Sequence, residues 1–199
     1  MSSIKHIIPN AITSANLFCG CVAITQIAEG NFIIAALLVL LGAFFDFFDG
    51  LVARLLKVSS PLGAQLDSLA DMLTFGFVPA YLAFEWLNKL DYHILNYCAF
   101  SIAIFSAVRL AKFNIDDRQT SSFIGLPTPA NALFWISIPL TYWQMDSFPS
   151  FTSVNFFKIP YESFYFLLTA ISVFSYLLIA DLSLLALKFK TLSLSLIHI

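Results

Sequence analysis

Apolar residues gather into six stretches separated by short polar breaks, and most of the stretches are as long as membrane spans. Crossing roughly 30 Å of hydrocarbon takes about 20 helical residues at 1.5 Å each. The first stretch, residues 11–28, is polar for such a segment, carrying Thr13, Ser14, Asn16 and Thr25. It is expected to face protein or a polar cavity rather than lipid. The second starts at Asn31 and holds an uncharged run from Phe32 to Phe45, after which Asp46 and Asp49 arrive without a helix breaker. That helix is predicted to continue to Lys57 and to project from one side of the bilayer. Ser59, Ser60, Pro61 and Gly63 predict a turn. A third segment, 64–87, enters with its polar end first. The fourth covers 93–111 and is followed by a polar loop, 112–122. The fifth covers 129–143, with a start as early as Leu126, and the sixth 161–187. Tyr142, Trp143 and Tyr161 suit interfacial positions.

Composition agrees with lipid as the solvent. The chain has 199 residues, 59% hydrophobic and 11% charged, where soluble domains run near 45–50% and about 25%. The expected class is an all-α polytopic membrane protein of about six transmembrane helices, one domain over residues 1–193. The formal charge of −2 supplies no basic field, so nucleic acid is not an expected partner. Cys19, Cys21 and Cys98 lie in apolar stretches without a CxxC pair and read as small hydrophobes. His6, His93 and His198 show no metal-ligand spacing. A cleavable leader is not expected, because the segment after Pro9 is too polar for an apolar leader core. The last six residues, LSLIHI, resemble a translated sequencing adapter, so 194–199 are expected to be a non-native tail.

Charge then orients the segments. Of the ten Lys and Arg, Lys5, Arg54, Lys57, Arg109, Lys112, Arg118, Lys188 and Lys190 fall on one side, and Lys89 and Lys158 on the other. Basic residues accumulate on the cytoplasmic face. Both termini and the 112–122 loop are therefore expected inside (N-in/C-in), with the aspartates near that face. Asp181, seven residues before Lys188, is expected to snorkel toward it.

The chemistry concentrates between Asp46 and Asp71. Asp46 and Asp49 are spaced i, i+3 and Asp67 and Asp71 i, i+4, so each pair shares a helix face. The pairs flank a helix–turn–helix connection, and antiparallel packing brings four carboxylates together. Unpaired, they would repel and desolvate at severe cost. Oxygen-rich donor sets suit Mg²⁺ or Mn²⁺, and two divalent ions would neutralise four carboxylates while keeping positions open for phosphate. Gly50 and Ala53, one turn apart, predict a flat patch beside the acids, and Arg54 adds a cation suited to phosphate. Packing by small residues and plain snorkelling of Arg54 are the bland alternatives.

The spacing Asp46-x2-Asp49-Gly50-x2-Ala53-Arg54-x8-Gly63-x3-Asp67-x3-Asp71 resembles the signature of the CDP-alcohol phosphotransferase family at all eight positions. The resemblance implies six transmembrane helices, a homodimer and a two-metal site at the cytoplasmic face of a prokaryotic inner membrane. It implies that Asp46, Asp49, Asp67 and Asp71 hold the metals, that Asp71 is also the general base, that Gly50 and Ala53 border the cytidine, and that Arg54 supports the phosphates. Thr13 and Asn16, at the same membrane level, are further candidates for the nucleotide or for helix–helix hydrogen bonds.

Three other blocks are similar to those of the family branch whose acceptor is L-serine: residues 8–20 (IPNAITSANLFCG), 109–114 (RLAKFN) and 123–130 (FIGLPTPA). They imply transfer of a phosphatidyl group from CDP-diacylglycerol, a membrane lipid, to serine, releasing CMP. Arg109 and Arg118 suit a carboxylate, Asn114 closes the second block, and the proline-flanked backbone of 126–130 is expected to offer unpaired polar groups. Topological charge is the bland alternative for both arginines. Glycerol 3-phosphate and inositol phosphate are the alternative acceptors. UbiA-type prenyltransferases also hold Mg²⁺ on paired acids, but their acid motifs lie far apart, whereas 17 residues separate Asp49 from Asp67 here. A cation transporter would place its acids near the midplane.

Overall fold

Helix α1, Ser2–Ala28, runs through Pro9 and starts well before the predicted residue 11. Its end is a Schellman turn: Gly30, at φ +81°, donates to the Ile27 carbonyl, and Asn31 donates to Gln26. Helix α2, Phe32–Leu56, is the long second helix the sequence predicts, carried past Asp46 and Asp49 without a break. It closes the same way, with Lys57 as the left-handed residue (φ 53°) and Val58 donating to the Ala53 carbonyl. In the computed structural model the described residues are 2–58, 60–89, 94–115, 123–147, 163–180 and 183–184.

The third column is one continuous rod with two kinds of turn, α and π. Helix α3, Pro61–Asp71, has Pro at its first position and Ser60 as N-cap, whose Oγ accepts from Gly63 N–H at 2.9 Å. A π-helical stretch, Met72–Phe77, follows directly, and α4, Val78–Asn88, completes the rod. The fourth column opens as a 3₁₀ helix, Leu95–Phe100, and continues as α5, Ser101–Ile115. It passes the predicted stop at Ala111, so Lys112–Ile115 are helical rather than loop. Helix α6, Thr128–Ser147, contains Pro139. Helix α7, Phe164–Ile179, is shorter than the predicted 161–187, because the chain turns extended at Ala180. Beyond the helices there is a two-residue antiparallel ladder, β1 (Phe123–Ile124) with β2 (Ser183–Leu184). Arg118, Asp181 and the 194–199 tail lie outside the described residues.

Among the described residues three helices are long and apolar enough to cross a membrane, Ile7–Ala28, Phe32–Leu56 and Leu95–Ile115, and Phe164–Ile179 is a shorter apolar one. Large apolar side chains such as Phe18, Phe47 and Leu55 stand more than half exposed, as lipid contact requires. Helix α1 packs along both α2 and α3 and so scaffolds the two acid-bearing helices together. Two clusters fill the interior: Ala23, Val39, Phe75 and Leu82 in one, Trp86, Leu87, Trp135 and Leu167 in the other. At the end of α4 away from the acids, Lys89 Nζ stands 4.1 Å from the Phe32 ring centre and 5.1 Å from that of Trp86.

Candidate functional site

The acids arrive from two helices. Carboxylate oxygens of Asp46 and Asp49 on α2 and of Asp67 on α3 all lie within 4.8 Å of one another. Asp71, one turn beyond Asp67, brings its carboxyl into hydrogen-bonding reach of Asp46. Its Oδ1 is buried with no hydrogen-bond partner. Two carboxylates cannot meet unless a proton or cation sits between them. A buried acceptor without a donor points the same way. The four acids therefore fit a divalent cation: the donors are all oxygen and already gathered. Thr13, buried on α1, fixes one of them, its hydroxyl donating to Asp49 Oδ2 at 2.6 Å.

Two cavities meet at this cluster. The first, about 210 Å³, is lined by Pro9, Asn10, Thr13, Asp49, Gly50 and Ala53 on one side, and on the other by the α3 start with Ser60, Gly63 and Asp67. A Cβ on Gly50 would meet no atom within 4 Å, so the helix backbone lies open there. The second, about 440 Å³, has Asp46, Asp67, Ser68 and Asp71 on one wall. Arg109, Asn114, Pro127 and Thr128 stand on the other. Asp67 and Ala64 border both. Arg109 is 9% exposed, its charge acts on Asp71, and its Nε has no partner.

The structure thus brings Thr13, Gly50 and Ala53 to the first cavity and Arg109 and Asn114 to the second. It does not bring Asn16 or Arg54 to either wall. Asn16 is buried at the α1–α2 contact, where its Oδ1 would stand 2.9 Å from a Cβ on Gly42. Arg54 is exposed and donates from Nε to the Gly50 carbonyl at 3.0 Å, spending its reach on its own helix. Several lining residues escaped the sequence reading. Asn10 joins the first cavity from the early start of α1, and Ser60 and Gly63 join it from the start of α3. Ser68 and Asn114, 46 positions apart, hydrogen-bond at 3.0–3.2 Å. Two of the backbone groups at 126–130 that the sequence offered as free are paired. Leu126 N–H is donated to Leu177 C=O at 2.9 Å, and the Pro127 carbonyl accepts from Asn131 N–H at 3.1 Å.

The family model described as CDP-alcohol phosphatidyltransferase matches residues 6–178, spanning all six helical columns. The chain belongs to that family. Relatives within it carry the name CDP-diacylglycerol–serine O-phosphatidyltransferase. The Bacillus subtilis protein is 38% identical over 135 residues, 68% of this chain and 76% of the relative. The Helicobacter pylori (strain 26695) protein is 35% identical over 130 residues, 64% of this chain. The Methanocaldococcus jannaschii protein is 36% identical over 138 residues, 68% of this chain. The chain spans 55% of the Helicobacter protein and 63% of the Methanocaldococcus one. For a CDP-alcohol phosphatidyltransferase, two cavities that share a carboxylate wall offer separate seats for a nucleotide-linked donor and an alcohol.

Proposed function

We propose that this chain transfers a phosphatidyl group from CDP-diacylglycerol to the hydroxyl of L-serine, giving phosphatidylserine and CMP. The observation that carries the reading is the pair of cavities joined at Asp67. The names of the relatives supply the donor and the alcohol. The cytidine end of the donor lies in the first cavity against Gly50, Ala53 and Thr13. Serine lies in the second, its carboxylate on Arg109, with Asn114 beside it.

The serine oxygen attacks the phosphorus that bears diacylglycerol. A new P–O bond forms, the bond from that phosphorus to the oxygen of CMP breaks, and its electron pair leaves with CMP. Asp71 accepts the hydroxyl proton. Asp46, Asp49, Asp67 and Asp71 would hold two divalent ions, Mg²⁺ or Mn²⁺, which supply charge neutralisation for the phosphates and the departing CMP. No protein nucleophile is needed, because seating both substrates at one carboxylate wall supplies orientation. Among the described residues, Ser60 caps α3 and Ser68 hydrogen-bonds Asn114.

A phosphorylated alcohol such as glycerol 3-phosphate or inositol phosphate is the second reading. It is disfavoured because Arg109 is the sole cation on the described wall of the second cavity. The enzyme works as a homodimer in a prokaryotic inner membrane, its acids facing the cytoplasm. The deciding experiment is CMP release from purified enzyme with CDP-diacylglycerol and a panel of alcohols. Release that depends on serine is expected. Release with glycerol 3-phosphate and none with serine would overturn the serine assignment and keep the family.

A further inference from the structure

Among the described residues, few buried side-chain polar atoms lack a hydrogen-bond partner. Three of them belong to residues lining the second cavity: Asp71 Oδ1, Arg109 Nε and Thr128 Oγ1. Such atoms are rare in folded proteins and each calls for a partner that completes it. Asp71 and Arg109 have roles in the proposed transfer, and Thr128 has none. It is the first residue of α6, wholly buried, between Pro127 and Pro129. Two backbone groups beside it are already used. Leu126 N–H is tied to Leu177 and the Pro127 carbonyl to Asn131, while Pro129 has no N–H to give. Gly125, at φ +78°, presses this loop onto the end of α7, where a Cβ would stand 2.8 Å from the Leu178 carbonyl. The loop is thereby pinned, and the Thr128 hydroxyl is the buried side-chain polar group it leaves over.

We infer that Thr128 is a specificity-determining residue, whose hydroxyl oxygen accepts a hydrogen bond from the α-ammonium of the acceptor. The assignment rests on the serine reading above. A zwitterionic amino acid needs a donor for its carboxylate and an acceptor for its ammonium. Arg109 can only donate. Asn114 Oδ1 is engaged by Ser68. A threonine hydroxyl accepts, and in a helix it has two accessible χ1 rotamers by which to reach a ligand. Thr128 would thus separate serine from hydroxy acids that share its carboxylate and hydroxyl but lack the amine.

The test compares wild type with Thr128→Val, which keeps the shape and removes the hydroxyl, and Thr128→Ser, which restores it. CMP release is measured with CDP-diacylglycerol and either serine or 3-hydroxypropionate. In Thr128→Val the KM for serine should rise about ten-fold or more, as loss of a hydrogen bond to a charged group implies. The KM for 3-hydroxypropionate and for CDP-diacylglycerol should stay within about two-fold, and Thr128→Ser should recover most of the loss. Equal shifts for serine and 3-hydroxypropionate, or no shift for either, would overturn the role. Should Thr128→Val fail to insert, Thr128→Ala gives the same ratio of the two acceptors. Failure of the serine reading itself shows earlier, as wild-type enzyme without serine-dependent CMP release, and takes this role with it.

Discussion

Thr74 fills the space that a side chain on Gly20 would need: a Cβ there would stand 2.5 Å from the Thr74 hydroxyl and 3.2 Å from its Cα. The same hydroxyl donates to the Asn16 carbonyl at 3.1 Å, and Thr74 Cγ2 would stand 2.8 Å from a Cβ on Gly42. Helices α1 and α2 and the π-helical stretch meet at this point, three residues beyond Asp71. Gly20→Ala should therefore cost about 1–3 kcal/mol, the usual range for overpacking. It should also reduce CMP release per folded molecule, because relief of the clash moves the acid-bearing rod. Thermal unfolding and specific activity together check this; unchanged values for both would show that the contact carries no weight.

Gly50 is the opposite case. No atom lies within 4 Å of a Cβ placed there, and alanine is the better helix former by about 1 kcal/mol. Gly50→Ala should raise stability by up to that amount. If the cytidine lies against this backbone, the same methyl should raise the KM for CDP-diacylglycerol and leave the KM for serine in place. A stabilised variant with an unaltered donor KM would move the nucleotide elsewhere.

The four aspartates should act as one unit. Asp→Asn at 46, 49, 67 or 71 is expected to cut activity by orders of magnitude in protein that still inserts. Mg²⁺ or Mn²⁺ should raise the unfolding midpoint of wild type, by roughly 2.7 kcal/mol of stability at a hundred times the Kd, and should fail to do so in the variants. Full activity in excess chelator would remove the metals from the mechanism.

The charge bias makes the orientation testable without any assay of activity. With Cys19, Cys21 and Cys98 replaced, a cysteine at residue 90 should react with an impermeant reagent added outside intact cells. One at residue 120 should not. The reverse pattern would put the acids on the outer face.

The six columns and the acid cluster were legible because they rest on local repetition. Apolar run length sets the spans, and i, i+3 and i, i+4 spacing puts each aspartate pair on one face. Boundaries were less so. Helix α1 accepts Pro9 in its interior, so a proline that usually marks a start sits a turn and more inside. The cavity partners came from pairings distant in sequence, Ser68 with Asn114 and Leu126 with Leu177, which no local pattern encodes. Asn16 and Arg54 show the converse: their residue types suit a ligand, but packing gave them neighbours within the bundle.

The π-helical stretch has a consequence for how this chain can vary. A π turn takes in about one residue more than an α turn. Removing one residue from 72–77 and returning the rod to regular α geometry would leave Asp67 and Asp71 in nearly the same phase relative to Val78–Asn88, because the wide turn holds the extra residue without rotating the two ends apart. The acid-bearing half and the core-buried half of this rod therefore keep their relative phase across a one-residue change in length. An insertion or deletion of one residue can be absorbed in the wide turn, leaving the carboxylates gathered.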